Sequence, residues 1–337
     1  MKTLVTGGTG FIGSAVVRRL LAGGQTVRTL VRPGNDRRNL EGLDIECVVG
    51  DLTDPSSLER AAAGCETLYH VAADYRLWVR DPGVMDRTNI EGTRNVLLTA
   101  TRAGCKRMVY TSSVATLGPR TDGTPADECD TSRLEDMCGA YKRSKFLAER
   151  EVERLVKEHD LPVVIVNPST PVGPRDLRPT PTGRMVLDAV TGRMPAYVDT
   201  GLNIVHVDDV AEGHLLAMRY GRIGERYILG GENLYLCDIL TRLAGISGQR
   251  PPRLRLPHGL LLPMAWLSEC WARLTGNDDP RLTVTGVRLA QKVMFFSSER
   301  ARRELGYAPR PADEALREAV EWFYRHSASP AKPCETT

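Results

Sequence analysis

The sequence predicts an α/β fold: a Rossmann-type doubly wound parallel sheet followed by a smaller C-terminal substrate lobe. Three observations carry this expectation. Short β-branched runs alternate with longer amphipathic stretches through the first half of the chain. The runs are almost continuously apolar, the pattern of parallel strands covered on both faces. A glycine-rich turn, TGGTGFIG, joins the first run to the first amphipathic stretch, where doubly wound folds bind dinucleotide phosphates.

Taken in order, the strand runs are 2–6, 26–31, 45–49, 67–71, 107–111 and 163–167. Between them, residues 11–22 repeat apolar side chains at Ile12, Val16 and Leu20, a helical period, and 86–103 and 141–158 are longer amphipathic helices. The proline- and glycine-rich stretch 168–183 reads as a long loop. Beyond it come a helix, a strand at 203–207, a helix capped by Asp208, a strand in ERYILG, and helices to about residue 326. We expect a dinucleotide-binding domain over 1–170, a mainly substrate-binding lobe over 171–326 with segments returning to the sheet, and a disordered tail over 327–337.

Composition narrows the function classes. With 337 residues, 42% of them hydrophobic, the chain can bury one large core and an appended lobe. Acids and bases are interspersed and sum to +3, so no nucleic-acid partner is expected. The eight cysteines contain no C-x-x-C pair, which argues for free thiols and against a metal site or disulfide framework. The chain opens directly on an apolar strand, and no stretch reaches the ~18 uninterrupted apolar residues of a spanning helix, so a cytoplasmic location is expected.

Gly7, Gly10 and Gly13 stand between a strand and a helix. Glycines there allow a tight turn and close backbone approach, and the helix N-terminus offers free N–H groups to a pyrophosphate. The residue after the second strand distinguishes the cofactors, because an acid grips a ribose 2′-hydroxyl and an arginine a 2′-phosphate. Arg32 holds that place, with Arg37 and Arg38 close behind, so NADP(H) is favoured and NAD(H) is the alternative. Asp51 and Leu52 follow the third strand, where a carboxylate could accept the adenine amino group and an apolar side chain could lie under the ring. Ala72 and Ala73 leave room at the tip of the fourth strand. His70, just before them, reads as a packed strand-end histidine.

Tyr141 and Lys145 lie at i and i+4 on one helix face. A tyrosine is a weak acid near neutrality, with a reference pKa of ~10, and a neighbouring ammonium lowers that value. Lys145 could do so and also hold the nicotinamide ribose, while Lys142 and Arg143 read as solvent charge. Ser113, with Ser112 as alternate, sits at the C-terminal edge of the sheet, where a hydroxyl can donate to a substrate carbonyl.

The motifs TGGTGFIG, GDL, YTSSVATLG, YKRSK, NPSTPVGP and VHVDDVAEGH occur in this order. On them the chain resembles the extended short-chain dehydrogenase/reductase superfamily, in its NAD-dependent epimerase/dehydratase family, over nearly its whole length. The resemblance implies a catalytic triad of Ser113, Tyr141 and Lys145. It implies a cofactor contacted by Gly7, Gly10, Phe11, Ile12 and Gly13, by Asp51 and Leu52 at the adenine, and by Tyr141 and Lys145. It adds Asn167 and Ser169 in the segment that lines the nicotinamide. Asn89 looks like the family's helix asparagine and is left outside the triad. A homodimer through helices 86–103 and 141–158 is also implied.

Two branches of the superfamily are similar to the chain. One contains dihydroflavonol-reductase-like enzymes that reduce ketones with NADPH; the other contains nucleotide-sugar epimerases and dehydratases, which usually hold NAD through an acid where this chain has Arg32. The resemblance is strongest to proteins labelled hopanoid-associated sugar epimerases. The expected function is therefore an NADP(H)-dependent carbonyl reductase acting on a small molecule, with a hopanoid or lipid side chain as the implied context. An NAD-dependent nucleotide-sugar epimerase or dehydratase is the alternative, and a non-catalytic NAD(P)-sensing protein the second. In the small lobe, Leu260, Met264, Leu267 and Trp271 recur at helical spacing within 256–276. The default expectation is a helix packed on the core; the sharper one is an apolar lid or a surface that meets membrane or lipid.

Overall fold

The computed structural model describes residues 2–76, 78–79, 81–275 and 283–327. Strands β1 (Lys2–Thr6), β2 (Thr26–Val31), β3 (Glu46–Val49), β4 (Thr67–His70), β5 (Arg107–Thr111) and β6 (Val163–Pro168) coincide with the six expected runs. The intervening helices are α1 (Phe11–Ala22), α2 (Pro55–Ala62), α3 (Pro82–Asp86), α4 (Gly92–Arg102) and α5 (Gly139–His159). The small-lobe chain supplies β7 (Thr170–Val172), α6 (Pro181–Val190), β8 (Ala196–Tyr197), β9 (Gly201–His206), α7 (Val207–Tyr220), β10 (Arg226–Leu229), β11 (Glu232–Tyr235) and α8 (Leu236–Ser247). It ends with β12 (Leu254–Arg255), α9 (His258–Thr275), α10 (Val284–Ala290), β13 (Val293–Met294), α11 (Glu299–Leu305) and α12 (Ala312–Ser327).

The main sheet is parallel, in the order β10-β6-β5-β4-β1-β2-β3. Strand order reverses between β1 and β4, so a crevice opens at their C-terminal ends. Apolar clusters cover both faces. One gathers α1, α7 and α11 around Val5, Val27, Tyr69 and Val205. The other gathers α2, α4 and α5 around Leu4, Leu68, Met108 and Ile165. Strand β3 departs from the expected burial on both faces: it forms the outer edge and is largely exposed. The small lobe has its own sheet, in which β9 pairs with β7, β11 and β13. Its core joins α6, α8 and α12.

Several sequence expectations are corrected. The stretch 168–183 is not one long loop; it holds β7 and the start of α6, whose N-terminus Thr180 caps by accepting from Gly183 N. Helix 86–103 is part of a longer run that begins at Pro82 and contains a π-helical turn over Arg87–Glu91. The cap of α7 is His206, whose Nδ1 accepts from the Asp208 N–H, and Asp208 is inside the helix, paired with Arg175. Ser327, assigned to the tail, closes α12, and the rest of the expected disordered tail lies outside the described residues.

The default expectation for 256–276 also fails. Leu260, Met264, Leu267 and Trp271 are 61%, 56%, 60% and 68% exposed, so this stripe faces solvent and Ala265 and Ala272 face inward. Gly276 lies outside the described residues. No helix among the described residues is long and apolar enough to cross a membrane.

Candidate active site

The glycine turn lies at the strand-order reversal. Gly7 has φ +75°, and a Cβ on it would lie 2.7 Å from Ala72 Cα at the tip of β4. On Gly13 a Cβ would lie 2.0 Å from the Gly7 carbonyl oxygen. Side chains are therefore excluded at both positions, and backbone alone lines the cradle. Gly10 begins α1 with no side-chain cap and no acid in the first turn. The first N–H groups of α1 are thus left for an anion, as a pyrophosphate requires. Phe11 and Ile12 are half-buried and anchor α1 on the core. Ala73 is half-buried beside Ala72, whose N–H donates to Thr6 Oγ1.

Around the adenine end, Arg32 and Arg37 are exposed. Arg38 is committed to Asp36, its Nη2 2.6 Å from Oδ2, which holds the Asp36 carboxyl below its ordinary range. Asp51 Oδ1 accepts from the Thr53 N–H at 2.9 Å and hydroxyl at 2.7 Å. Leu52 is buried against Gly92 of α4, where a Cβ would lie 2.9 Å from its own Cβ.

Ser113, Tyr141 and Lys145 come together at the ends of β5 and α5. Ser113 Oγ accepts from the Ala115 N–H at 3.1 Å, which leaves its own hydrogen free to donate. Tyr141 is half-buried. Burial lifts its hydroxyl above the ordinary tyrosine range, and the hydrogen bond from Ser113 opposes that rise. Lys145 is 3% exposed; its Nζ donates to Thr111 O at 2.7 Å and Tyr110 Oη at 3.1 Å. A third N–H remains for a ligand. Desolvation pushes this ammonium down to about 8, against the favourable charge of Glu149. The expected lowering of Tyr141 by Lys145 is therefore not what shifts Tyr141 here; burial and Ser113 are.

A buried layer supports these groups. Asn167 is fully buried, and its amide nitrogen lies 3.1 Å from Ser113 O and 2.9 Å from Glu149 Oε2. Glu149 also accepts from Thr116 Oγ1 at 3.0 Å and pairs with Arg226 at 3.2 Å. Asn167 thus steadies the Ser113 backbone through its amide nitrogen, while its Oδ1 is buried with no hydrogen-bond partner among the described residues. Ser169 is half-buried and donates to Asn203 O at 2.9 Å, tying β6 to the small lobe. His70 is buried between Thr6 Oγ1 at 2.7 Å and Thr93 Oγ1 at 2.9 Å, and burial pushes it down to about 3, so it is a neutral packed histidine as expected.

Two features go beyond the sequence reading. Asn89 sits in the π-helical turn, 2% exposed. It accepts from Asp74 N at 2.7 Å and donates to Asp74 O and Ser144 Oγ, both at 2.9 Å. It thereby joins the loop after β4 to the residue next to Lys145, a linking role that its resemblance to the family's helix asparagine did not specify. Lys142 is not solvent charge. It is 7% exposed, and burial, reinforced by Lys292, pushes it down to about 8. Arg143 is exposed as expected.

The chain as a whole is similar to known proteins. The model of the NAD-dependent epimerase/dehydratase family matches residues 3–230. A Synechocystis protein named "Putative dihydroflavonol 4-reductase" is 45% identical over 96% of this chain and 94% of its own. "Sterol demethylase protein B" of Methylococcus capsulatus is 38% identical over 96% of this chain and 98% of its own. The crystal structure of gox2253 superposes with a TM-score of 0.86 at 55% identity, covering 96% of this chain and 98% of that one.

Proposed function

The chain belongs to the NAD-dependent epimerase/dehydratase family, and on that premise we propose that it is an NADP(H)-dependent reductase converting a carbonyl to an alcohol. Membership makes it an NAD(P)-dependent enzyme; direction, cofactor preference and residue roles belong to the proposal. The observation that carries it is buried Lys145, one helical turn from Tyr141, with its Nζ 2.7 Å from Thr111 O, two residues before Ser113.

The cradle at Gly7 and Gly13 and the uncapped N-terminus of α1 fit a pyrophosphate. The third N–H of Lys145 fits a ribose hydroxyl. When bound, the nicotinamide supplies the hydride. Tyr141, kept protonated by its burial, donates its proton to the carbonyl oxygen as negative charge develops there. Ser113, its Oγ held by the Ala115 N–H, turns its hydrogen from Tyr141 to the same oxygen and holds it in register. Lys145, donating to Thr111 O, holds the end of β5 and so keeps Ser113 beside the helix that carries Tyr141. The preference for NADP(H) rests on Arg32 and Arg37, which stay exposed while Asp36 is neutralised by Arg38. A lipid-like carbonyl compound is the favoured substrate class, supported by the similarity to a relative named for sterol demethylation. The expected homodimer through α4 and α5 is part of the same proposal.

The test is direct. Tyr141→Phe should remove nearly all turnover, at least about a hundredfold, with NADPH affinity intact; a variant that stays active overturns the reading. Arg32→Ala should weaken NADPH by roughly tenfold or more while leaving NADH unchanged. Nucleotide released from the purified protein by denaturation is the third measurement. Stoichiometric NAD would replace this reading by that of an epimerase holding its cofactor through oxidation and re-reduction.

A further inference from the structure

The outward face of α9 carries an apolar stripe from Leu260 to Leu274. Leu260, Met264, Leu267, Trp271 and Leu274 follow one another at i, i+4, i+7, i+11 and i+14 and are 56–82% exposed, with Trp266 beside them at 60%. A continuous apolar face of this kind on a globular surface marks a contact site. The inward face is occupied: His258 Nε2 lies 2.9 Å from Ala290 O, and Glu269 accepts from the Val284 N–H at 2.7 Å, fixing α9 to α10.

Charge identifies what the face meets. The segment 249–275 contains Arg250, Arg253, Arg255 and Arg273 against one acid, Glu269, and that acid is engaged by the Val284 N–H at the start of α10. Arg255 is paired with Asp199, whereas Arg250 and Arg253 are exposed with no ion-pair partner among the described residues. Leu254, between the two ends of this basic cluster, is 58% exposed. Apolar side chains including two tryptophans, preceded by unpaired arginines and free of outward acids, form the pattern of a helix lying in a lipid–water interface. Since no described helix can span a bilayer, the contact is one of lying on it. Isologous pairing of two copies through this face would bring the same arginines together.

We infer that the α9 face, with Arg250 and Arg253, docks this protein peripherally on an anionic membrane surface. The docked element leads to the catalytic helix. Thr285 of α10 lies against Gly139, where a Cβ would be 2.5 Å from Thr285 Cγ2, and Gly139 stands two residues before Tyr141. A molecule leaving the bilayer at α9 would meet the entrance to α5 first. The docking itself is independent of which carbonyl the enzyme reduces.

Flotation of the full chain with vesicles tests this. The protein should float with phosphatidylcholine mixed with phosphatidylglycerol and far less with phosphatidylcholine alone. Binding should fall as salt is raised, and tryptophan emission should shift to the blue. The double variant Leu267→Ser, Trp271→Ser should abolish flotation. The double variant Arg250→Ala, Arg253→Ala should weaken it by about thirtyfold. All four side chains are exposed, so unchanged melting without lipid confirms that the variants fold. Failure of the wild-type chain to float, or flotation indifferent to both variants, overturns the proposal. So does light scattering that shows a dimer broken by Leu267→Ser, Trp271→Ser, because the face would then belong to a second copy.

Discussion

Lys142 and Lys145 stand three residues apart on α5, both buried, both pushed down to about 8, and their partners differ completely. Lys145 has Tyr110, Thr111 and the charge of Glu149. Lys142 has no hydrogen-bond partner among the described residues and is opposed by Lys292. Its charge is thus a net cost of folding. A fall from 10.5 to about 8 corresponds to on the order of 3 kcal/mol. Lys142→Met should stabilise the protein by up to about that amount near pH 7. With the folded value below the unfolded one, the native state binds fewer protons between them. The cost is therefore complete below about pH 8 and disappears as pH rises through 8 towards 10.5. Urea unfolding at about pH 7 and about pH 10 checks this: the advantage of the variant should be large at the first and small at the second. An equal advantage at both would show that packing, not charge, is responsible. Sequence spacing found Lys145, because i and i+4 share a helix face. It misread Lys142, because a lysine at i+1 is solvent charge only if nothing covers that side of the helix, and the small lobe does.

At the scale of the element, the π-helical turn over Arg87–Glu91 delivers Asn89 to a position between two segments remote in sequence. Turns of this kind recur at functional sites, since the extra residue re-aims a side chain. Asn89→Ala would leave Asp74 N and Asp74 O without their partners, at a cost on the order of 2–3 kcal/mol. The melting temperature should fall by several degrees, and turnover should drop because Ser144, next to Lys145, loses its anchor. A melting temperature equal to that of the wild type would show that water replaces the amide. Helix α9 shows the limit of periodicity at this scale. The apolar stripe is plain in the sequence, but a stripe states only that some apolar surface covers it, not whether that surface is the protein's own core.

Across the whole molecule, the two lobes meet where α10 rests on the start of α5. Gly139 has φ +86°, and any Cβ there would strike Thr285. Gly139→Ala should therefore push α10 outward, raising KM for the carbonyl substrate by about tenfold while NADPH affinity holds, because the glycine cradle lies elsewhere. Removing the obstructing side chain by Thr285→Gly in the same chain should recover most of the loss; no recovery would assign the defect to backbone strain at residue 139. What the sequence alone determined is everything set by local periodicity and stereochemistry. This covers the six parallel strands, the glycine turn between β1 and α1, and the Tyr141/Lys145 pair, since backbone repeat and side-chain size act within a few residues. Only the tertiary structure decided which faces are covered: the burial of Lys142, the exposure of α9, the His206 cap, the buried layer of Asn167 and Glu149 beneath Ser113. Burial depends on segments tens to hundreds of residues away, and so do the charge shifts that burial causes.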